Sequence, residues 1–303
     1  MTDALARLGR DVVGRTRELE IVLAALDADR HIVLEGPPGT GKSTLLRAVA
    51  NALGVGFEFV EGNAELTPAR LVGAFDPARV LNEGYVADAF MDGPLIVAMR
   101  EGSLLYVEEI NRVPEETLNV LITVMSEGDL SVPRLGRIAA APGFRLVAAM
   151  NPFDSVGTAR ISGAIYDRVC RVAVGYQSLE DEVAIVARNV EGVDAAWVDG
   201  VVRVVRATRE HSDLRTGSSV RGAIDTAFVA RSLGVLRGQP PTTPGVARDA
   251  ALTALSGRVR LREGVSRSTE EVILEIWDSV FTPRMESGDP GKGGAPTGAT
   301  NSR

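Results

Sequence analysis

Five short apolar runs recur along the first 176 residues, and stretches with a helical spacing of apolar residues accompany them. Strands that alternate with helices predict a parallel sheet with helices on both of its faces. The predicted strands are 31–35, 56–61, 103–108, 144–150 and 171–174, and the predicted helices are about 16–28, 42–53 and 114–127. Ligands of such sheets bind at the carboxyl ends of the strands, so we expect the functional residues there.

Beyond residue 176 the spacing of apolar residues is helical throughout. Ser178 and the acidic residues after it form an N-cap and first turn typical of a helix start. Further helices are predicted at about 194–210, 217–236, 245–260 and 268–281. The pattern predicts an α/β domain over 1–176, an all-helical domain over 177–282 and, from its Gly/Pro/Ser/Thr-rich composition, a disordered tail over 283–303.

The net charge of the 303-residue chain is −7, and no dense block of Lys and Arg occurs in it. Because non-specific nucleic-acid binding depends on clustered basic residues, nucleic acid is not expected as a bulk partner. Cys170 is the only cysteine, which excludes an internal disulfide framework, and two histidines argue against a protein zinc site. No apolar run is long enough to span a membrane, and residues 1–10 lack a secretory pattern, so we expect a cytoplasmic protein.

A glycine-rich loop follows the first predicted strand and leads into the helix at 42–53. It consists of Gly36, Pro37, Pro38, Gly39, Thr40, Gly41, Lys42 and Ser43, and Thr44 follows it. Glycines let backbone N–H groups turn inward around phosphate oxygens, and the helix N-terminus adds its positive end. Lys42 can reach the β- and γ-phosphates, and the Ser43 hydroxyl can ligate Mg²⁺. A plain Gly/Pro turn would not require this Lys and Ser, so the loop predicts a site for Mg²⁺ and a nucleoside triphosphate.

Two carboxylates and one amide stand at the ends of the third and fourth predicted strands. Glu108 and Glu109 end the third strand, and Asn151 follows the fourth. Carboxylates after a buried strand need a charge partner, which a Mg²⁺–nucleotide would supply. Glu108 would orient Mg²⁺, Glu109 would act as general base on the attacking water, and Asn151 would hydrogen-bond that water or the γ-phosphate. The alternative is a solvated acidic pair and an ordinary Asn-Pro turn.

Three arginines are further candidates. Arg168 precedes the fifth predicted strand and could act as an arginine finger on a neighbour's γ-phosphate, with Arg171 as the rival candidate. A lone Arg near a helix end more often serves the helix dipole or faces solvent. Arg221 stands at a predicted helix start, where a cation opposes the dipole and a ligand phosphate would relieve the conflict. From the residues alone, structural and phosphate-binding roles are equally open for Arg221.

In this order the motifs resemble those of the AAA+ ATPases, and specifically the MoxR family, over about residues 10–280. Residues 12–17 look like the opening box of the family, in which Val13 and Gly14 would flank the adenine. The stretches 36–43, 104–112, 149–152, 167–169 and 217–222 are similar to Walker A, Walker B, sensor 1, the arginine-finger motif and sensor 2. The resemblance implies an AAA+ P-loop domain with a five-stranded parallel sheet, a helical lid, and Mg²⁺-dependent hydrolysis of ATP.

The resemblance also implies partners. Family members typically form homo-hexameric rings with nucleotide between subunits. They often work with von Willebrand factor A-domain proteins to remodel or activate a protein complex, in a chaperone-like role. The segment 73–94 and an expected β-hairpin within 128–143 could contact a protein substrate, or could pack as ordinary loops.

Two departures from the family pattern keep alternatives open. Glu108 stands where the family usually has Asp, which is expected to loosen Mg²⁺ coordination, and Val169 replaces the family's Phe. Glu108 motivates a nucleotide-gated assembly module with little basal hydrolysis. A nucleic-acid motor on the same fold would need a basic loop, for which Arg134 and Arg137 are the only nearby candidates.

Overall fold

The computed structural model describes residues 8–9, 12–152 and 163–282. Its strands are β1 His31–Glu35, β2 Phe57–Glu61, β3 Gly73–Phe75, β4 Phe90–Asp92, β5 Leu104–Glu108, β6 Asp129–Val132, β7 Gly136–Ala139, β8 Arg145–Met150, β9 Val169–Ala173, β10 Leu214–Thr216 and β11 Arg260–Leu261. Five of them form a parallel sheet in the order β2-β5-β8-β1-β9. The predicted five-stranded parallel sheet is therefore confirmed. The predicted tail, 283–303, lies outside the described residues.

Helices cover both faces of the sheet. Among the described residues 12–152 and 163–166 they are α1 Thr16–Asp27, α2 Lys42–Leu53, α3 Pro68–Val72, α4 Pro77–Glu83, α5 Pro94–Glu101, α6 Glu115–Glu127 and α7 Gly163–Tyr166. Alternate residues of β1 enter two separate cores, as the two-residue period of a strand requires. Ile32 and Leu34 pack with α1 and α2, whereas Val33 packs with α3, α5 and α6. The phosphate loop thus follows a strand that is buried on both sides.

The last strand of the sheet begins earlier than predicted. It starts at Val169 rather than at 171, because Val169 pairs with His31 of β1. Arg171 consequently lies within β9, opposite Val33, and Arg168 stands directly before the strand.

Two small antiparallel pairs project from the α/β core. β3 pairs with β4, and helix α4 lies between them in the chain. β6 pairs with β7, which confirms the hairpin expected within 128–143. The hairpin turn holds Arg134 in a left-handed conformation, with φ 67°.

The part after β9 is mainly helical and has its own apolar core. Its helices are α8 Leu179–Asn189, α9 Ala195–Glu210, α10 Val220–Arg237, α11 Pro244–Leu255 and α12 Thr269–Phe281. Ser178 caps α8 as predicted, because its side chain accepts a hydrogen bond from the Asp181 amide. The antiparallel pair β10–β11 interrupts the otherwise helical pattern. Within the described ranges, no helix has the length and apolarity needed to cross a membrane.

Candidate active site

The glycine-rich loop connects the end of β1 to the start of α2, at the carboxyl edge of the sheet. Gly39 and Gly41 have φ of 72° and 81°, which side-chain-bearing residues rarely adopt. A Cβ on Gly36 would lie 1.9 Å from the Val174 carbonyl oxygen, so only glycine fits there. The loop is therefore fixed by backbone geometry as well as by its ligand-binding residues.

Lys42 is buried at the first turn of α2. Its Nζ donates hydrogen bonds of 2.9 Å to the carbonyl oxygens of Gly36 and Pro37, and the residue is 8% exposed. Burial lowers the pKa of Lys42 to about 8. The Glu108 carboxylate opposes this shift by raising the pKa, and the Arg221 cation lowers the pKa by a smaller amount. A phosphate anion beside this ammonium would stabilise its charged form.

Ser43 and Glu108 are in direct contact. Ser43 Oγ donates a hydrogen bond of 3.0 Å to Glu108 Oε1 and lies 3.1 Å from the Tyr106 hydroxyl. Burial raises the pKa of the Tyr106 phenol, which therefore stays protonated. The longer Glu108 side chain thus reaches the serine of the phosphate loop. Tyr106 was not predicted as a site residue from the sequence, although a tyrosine in an otherwise apolar strand was a usable signal.

Glu109 adopts a left-handed backbone conformation, with φ 53°, directly after β5. Such a conformation in a non-glycine residue is strained and is often found at functional sites. The Glu109 carboxylate forms an ion pair of 3.1 Å with Arg112. Glu109 and Asn151 line the same cleft as Glu108, a cavity of about 110 Å³ that also includes Lys42 and Ser43. The structure therefore brings together both predicted carboxylates and the predicted amide.

A second cavity, of about 260 Å³, opens beside the loop, between it and the helical part. Val13, Thr40 and Thr44 line it, together with Ile185 of α8 and Ile224 of α10. These apolar and small polar side chains suit a flat heterocycle. Gly14 is not among the described residues that line this cavity. A Cβ on Gly14 would clash with the Asp181 carboxylate.

Arg221 lies at the junction of the two cavities and lines both. It sits at the start of α10, beside Ser219, whose side chain approaches Gly39 so closely that a Cβ there would clash. The helical part thus carries a cation to the phosphate loop, which favours a phosphate-binding role over a purely structural one.

Sequence comparisons relate this geometry to known proteins. The profile of the AAA domain (dynein-related subfamily) matches residues 31–169. The gas vesicle ATPase GvpN2 of Halobacterium salinarum is 31% identical to the chain, over 75% of the chain and 67% of its own length. The chaperone MoxR1 of Mycobacterium tuberculosis is 28% identical, over 94% of the chain and 82% of its own length. The chain belongs to the MoxR family of AAA+ ATPases.

Among solved structures, the RuvB Holliday junction branch migration motor of Thermotoga maritima has the same fold as this MoxR-family ATPase. The TM-score is 0.54 at 16% identity, and the match covers 80% of this chain and 70% of RuvB. At this identity the likeness concerns the fold alone.

Arg168 and Arg171 contact different kinds of group in this MoxR-family ATPase. Arg171 is paired with the buried carboxylate of Glu35. Arg168 donates hydrogen bonds of 2.5 Å to Ser126 Oγ and 2.6 Å to the Ala164 carbonyl, both neutral groups. Neither arginine lines either of the two cavities described above. The structure therefore does not bring Arg168 to the phosphate cleft of this chain.

Arg15 is a residue of this site that the sequence argument missed. It is 3% exposed, and its guanidinium donates to the carbonyl oxygens of Thr40, at 2.9 Å, and Gly175, at 2.6 Å. It also pairs with Glu18. Arg15 thereby ties the phosphate loop to the segment after β9. Its place directly after Gly14 was the only available signal.

Proposed function

We propose that this MoxR-family ATPase binds Mg²⁺–ATP in the two adjoining cavities and hydrolyses it to ADP and phosphate at subunit interfaces of a homo-hexameric ring. The observation that carries the proposal is the convergence of Lys42, Ser43, Glu108, Glu109 and Asn151 on one cleft. Val13 and Gly14 are assigned to the adenine end and Arg221 to the phosphate end.

The residues of the cleft suit a hard divalent cation. Ser43 Oγ and Glu108 Oε1 lie 3.0 Å apart, and Mg²⁺ prefers oxygen ligands. In the described parts of the chain, no cluster of three His, Cys, Asp or Glu could hold a metal by itself. This arrangement fits a cation that arrives with the nucleotide and takes most of its ligands from phosphates and water. When bound, Mg²⁺ neutralises charge that develops on the phosphates.

In the proposed reaction Glu109 accepts a proton from a water molecule as the water oxygen forms a bond to the γ-phosphorus. The bond from that phosphorus to the bridging oxygen breaks, and ADP takes the electron pair. Lys42 and Arg221 hold the phosphate oxygens, and Asn151 positions the water. Arg168, which does not line its own cleft, would stabilise the transition state in the adjacent subunit.

The proposed use of hydrolysis is to remodel or activate a protein complex in the cytoplasm. A von Willebrand factor A-domain protein is the proposed partner. Exposed apolar side chains of the segment 73–94 support a protein partner, since Leu81 is 87% and Met91 56% exposed. A nucleic-acid partner has less support. Arg134 stacks on Tyr85, and Arg137 pairs with Asp129, so both candidate cations are engaged within the subunit.

Lys42→Ala is the direct test of ATP hydrolysis. We expect phosphate release from Mg²⁺–ATP to fall at least about 100-fold, because the variant loses the main cation at the γ-phosphate. Arg203→Ala is the matched control, since it removes an exposed cation of α9 that pairs with Asp199 one helical turn away. Equal turnover in Lys42→Ala and the wild type would overturn the proposal.

A further inference from the structure

A buried carboxylate stands directly before the phosphate loop and belongs to neither cavity. Glu35 ends β1, follows three apolar residues and is only 5% exposed. Its Oε1 accepts a hydrogen bond of 2.5 Å from the Tyr166 hydroxyl, and its Oε2 pairs with Arg171 Nε. A buried carboxylate is costly unless such partners satisfy it. Glu35 therefore depends on two residues that are distant in sequence.

The two partners of Glu35 flank Arg168 in the chain. Tyr166 ends α7, and Arg171 lies within β9. The Arg168 amide donates to the Ile165 carbonyl at 2.9 Å, and its guanidinium donates to the Ala164 carbonyl at 2.6 Å. The orientation of the Arg168 side chain is thus set by α7 together with Ser126 of α6. The Tyr166 hydroxyl joins α7 to the end of β1 by a hydrogen bond, and Ile165 of the same helix packs in the apolar core beside it.

Glu35 is also connected to the phosphate loop, through hydrogen bonds of its own backbone and of the next residue. The next residue, Gly36, accepts a hydrogen bond from Lys42 Nζ and donates its amide to the Met150 carbonyl at 3.1 Å. The carbonyl of Glu35 accepts from the Val174 amide at 2.7 Å. When a triphosphate draws Lys42 away from Gly36, the peptide next to Glu35 loses that contact. A change at the loop can therefore reach α7 through one side chain.

We propose that Glu35 and Tyr166 are positioning residues that couple the phosphate loop of one subunit to the arginine finger, Arg168, which it offers to the next subunit. The inference rests on the proposed trans role of Arg168. The Tyr166 hydroxyl remains a donor at neutral pH, because burial and the hydrogen bond to Glu35 raise the pKa of Tyr166 to about 12. The coupling would let a subunit present its finger according to its own nucleotide state.

Tyr166→Phe tests this coupling, because it removes one hydroxyl and keeps the ring. We expect the affinity for ATP to be unchanged. We expect kcat to fall by about 10- to 100-fold, because the Arg168 guanidinium would be displaced slightly from the γ-phosphate of the adjacent subunit. Tyr176→Phe is the matched control. Tyr176 stacks on Arg209 through its ring, with centroid distance 3.8 Å, so its loss of a hydroxyl should leave kcat unchanged. Glu35→Gln keeps an acceptor for Tyr166 but removes the charge that faces Arg171, and we expect an intermediate kcat.

Mixed rings distinguish this inference from the proposed function. A Tyr166→Phe subunit has an intact cleft, and a Glu109→Gln subunit has an intact finger, so mixing them should raise turnover per Tyr166→Phe subunit. The reference mixture is Arg168→Ala with Glu109→Gln. Rescue in the reference but not with Tyr166→Phe would overturn the coupling alone. Absence of rescue in the reference, in rings shown to be mixed, would overturn the trans finger and the coupling with it. Weaker ATP binding by Tyr166→Phe would also overturn the coupling, because the hydroxyl would then serve its own cleft.

Discussion

The phosphate cleft buries charged side chains, whereas the segment 73–94 exposes apolar ones. The cleft buries the charged Lys42 and is lined by Glu108 and Glu109. The segment exposes Leu81, at 87%, and Tyr85, at 52%. Buried charge and exposed apolar surface are both unfavourable for an isolated subunit. The first region therefore suits a charged small ligand, and the second suits an apolar macromolecular surface.

The two regions also differ in how they are held. Lys42, Ser43 and Glu108 are bound to one another or to backbone carbonyls, so the cleft is pre-formed. The segment contacts the neighbouring hairpin through a side-chain pair, with the Arg134 guanidinium 3.6 Å from the centre of the Tyr85 ring. Rigid chemistry and adaptable binding surfaces are commonly separated in this manner. Variants should therefore disable one region and spare the other.

The largest effect is expected from Glu109→Gln. The amide cannot accept the proton of the attacking water, so we expect turnover to fall at least about 100-fold while ATP binding is retained. Phosphate release and equilibrium nucleotide binding are the measurements. Glu116→Gln, in the exposed first turn of α6, removes a nearby carboxylate and should keep wild-type turnover. If the Glu109→Gln protein kept a third of the wild-type turnover, Glu109 would not be the general base.

A smaller effect, on a different measurement, is expected from Leu81→Ser in the Glu109→Gln background. ATP-loaded Glu109→Gln should hold its partner, and removal of the exposed leucine should weaken that complex by about tenfold or more, the value of one buried aliphatic side chain. Nucleotide binding should not change. Leu236→Ser is matched in exposure, at 81%, but lies at the C-terminal end of α10. Equal loss of the partner with both serine variants would contradict a specific role for the segment.

The same division explains what the sequence could predict. The five strands and the phosphate loop were predictable, because buried parallel strands are apolar throughout and the loop requires glycines at fixed spacing. The early start of β9 was not, because Val169 and Cys170 are ordinary residues whose pairing with β1 depends on the whole sheet. Burial of Arg15 and the bond between Glu35 and Tyr166 were also beyond prediction. These contacts join residues far apart in the chain, and no local pattern encodes them.

The smallest effect is expected from Glu108→Asp, which bears on whether the cleft is built for turnover. The β5 backbone is fixed by pairing of Glu108 with Glu61 of β2, so a side chain shorter by about 1.5 Å cannot follow Ser43. Loss of the 3.0 Å hydrogen bond from Ser43 should lower turnover by about fivefold, the usual value of one such bond.

Glu61→Asp is the control for Glu108→Asp, because it shortens the registered neighbour, which ends β2 and is exposed. Basal phosphate release at several Mg²⁺ concentrations measures both variants. A higher basal rate in Glu108→Asp would mean that the native glutamate holds hydrolysis back. That result would favour a nucleotide-gated assembly module over a continuously cycling ATPase, because the cleft would then be adapted to retain ATP. A lower rate, with Glu61→Asp unchanged, would mean that this cleft is adapted to glutamate and that the departure from the family pattern is compensated by the reach to Ser43.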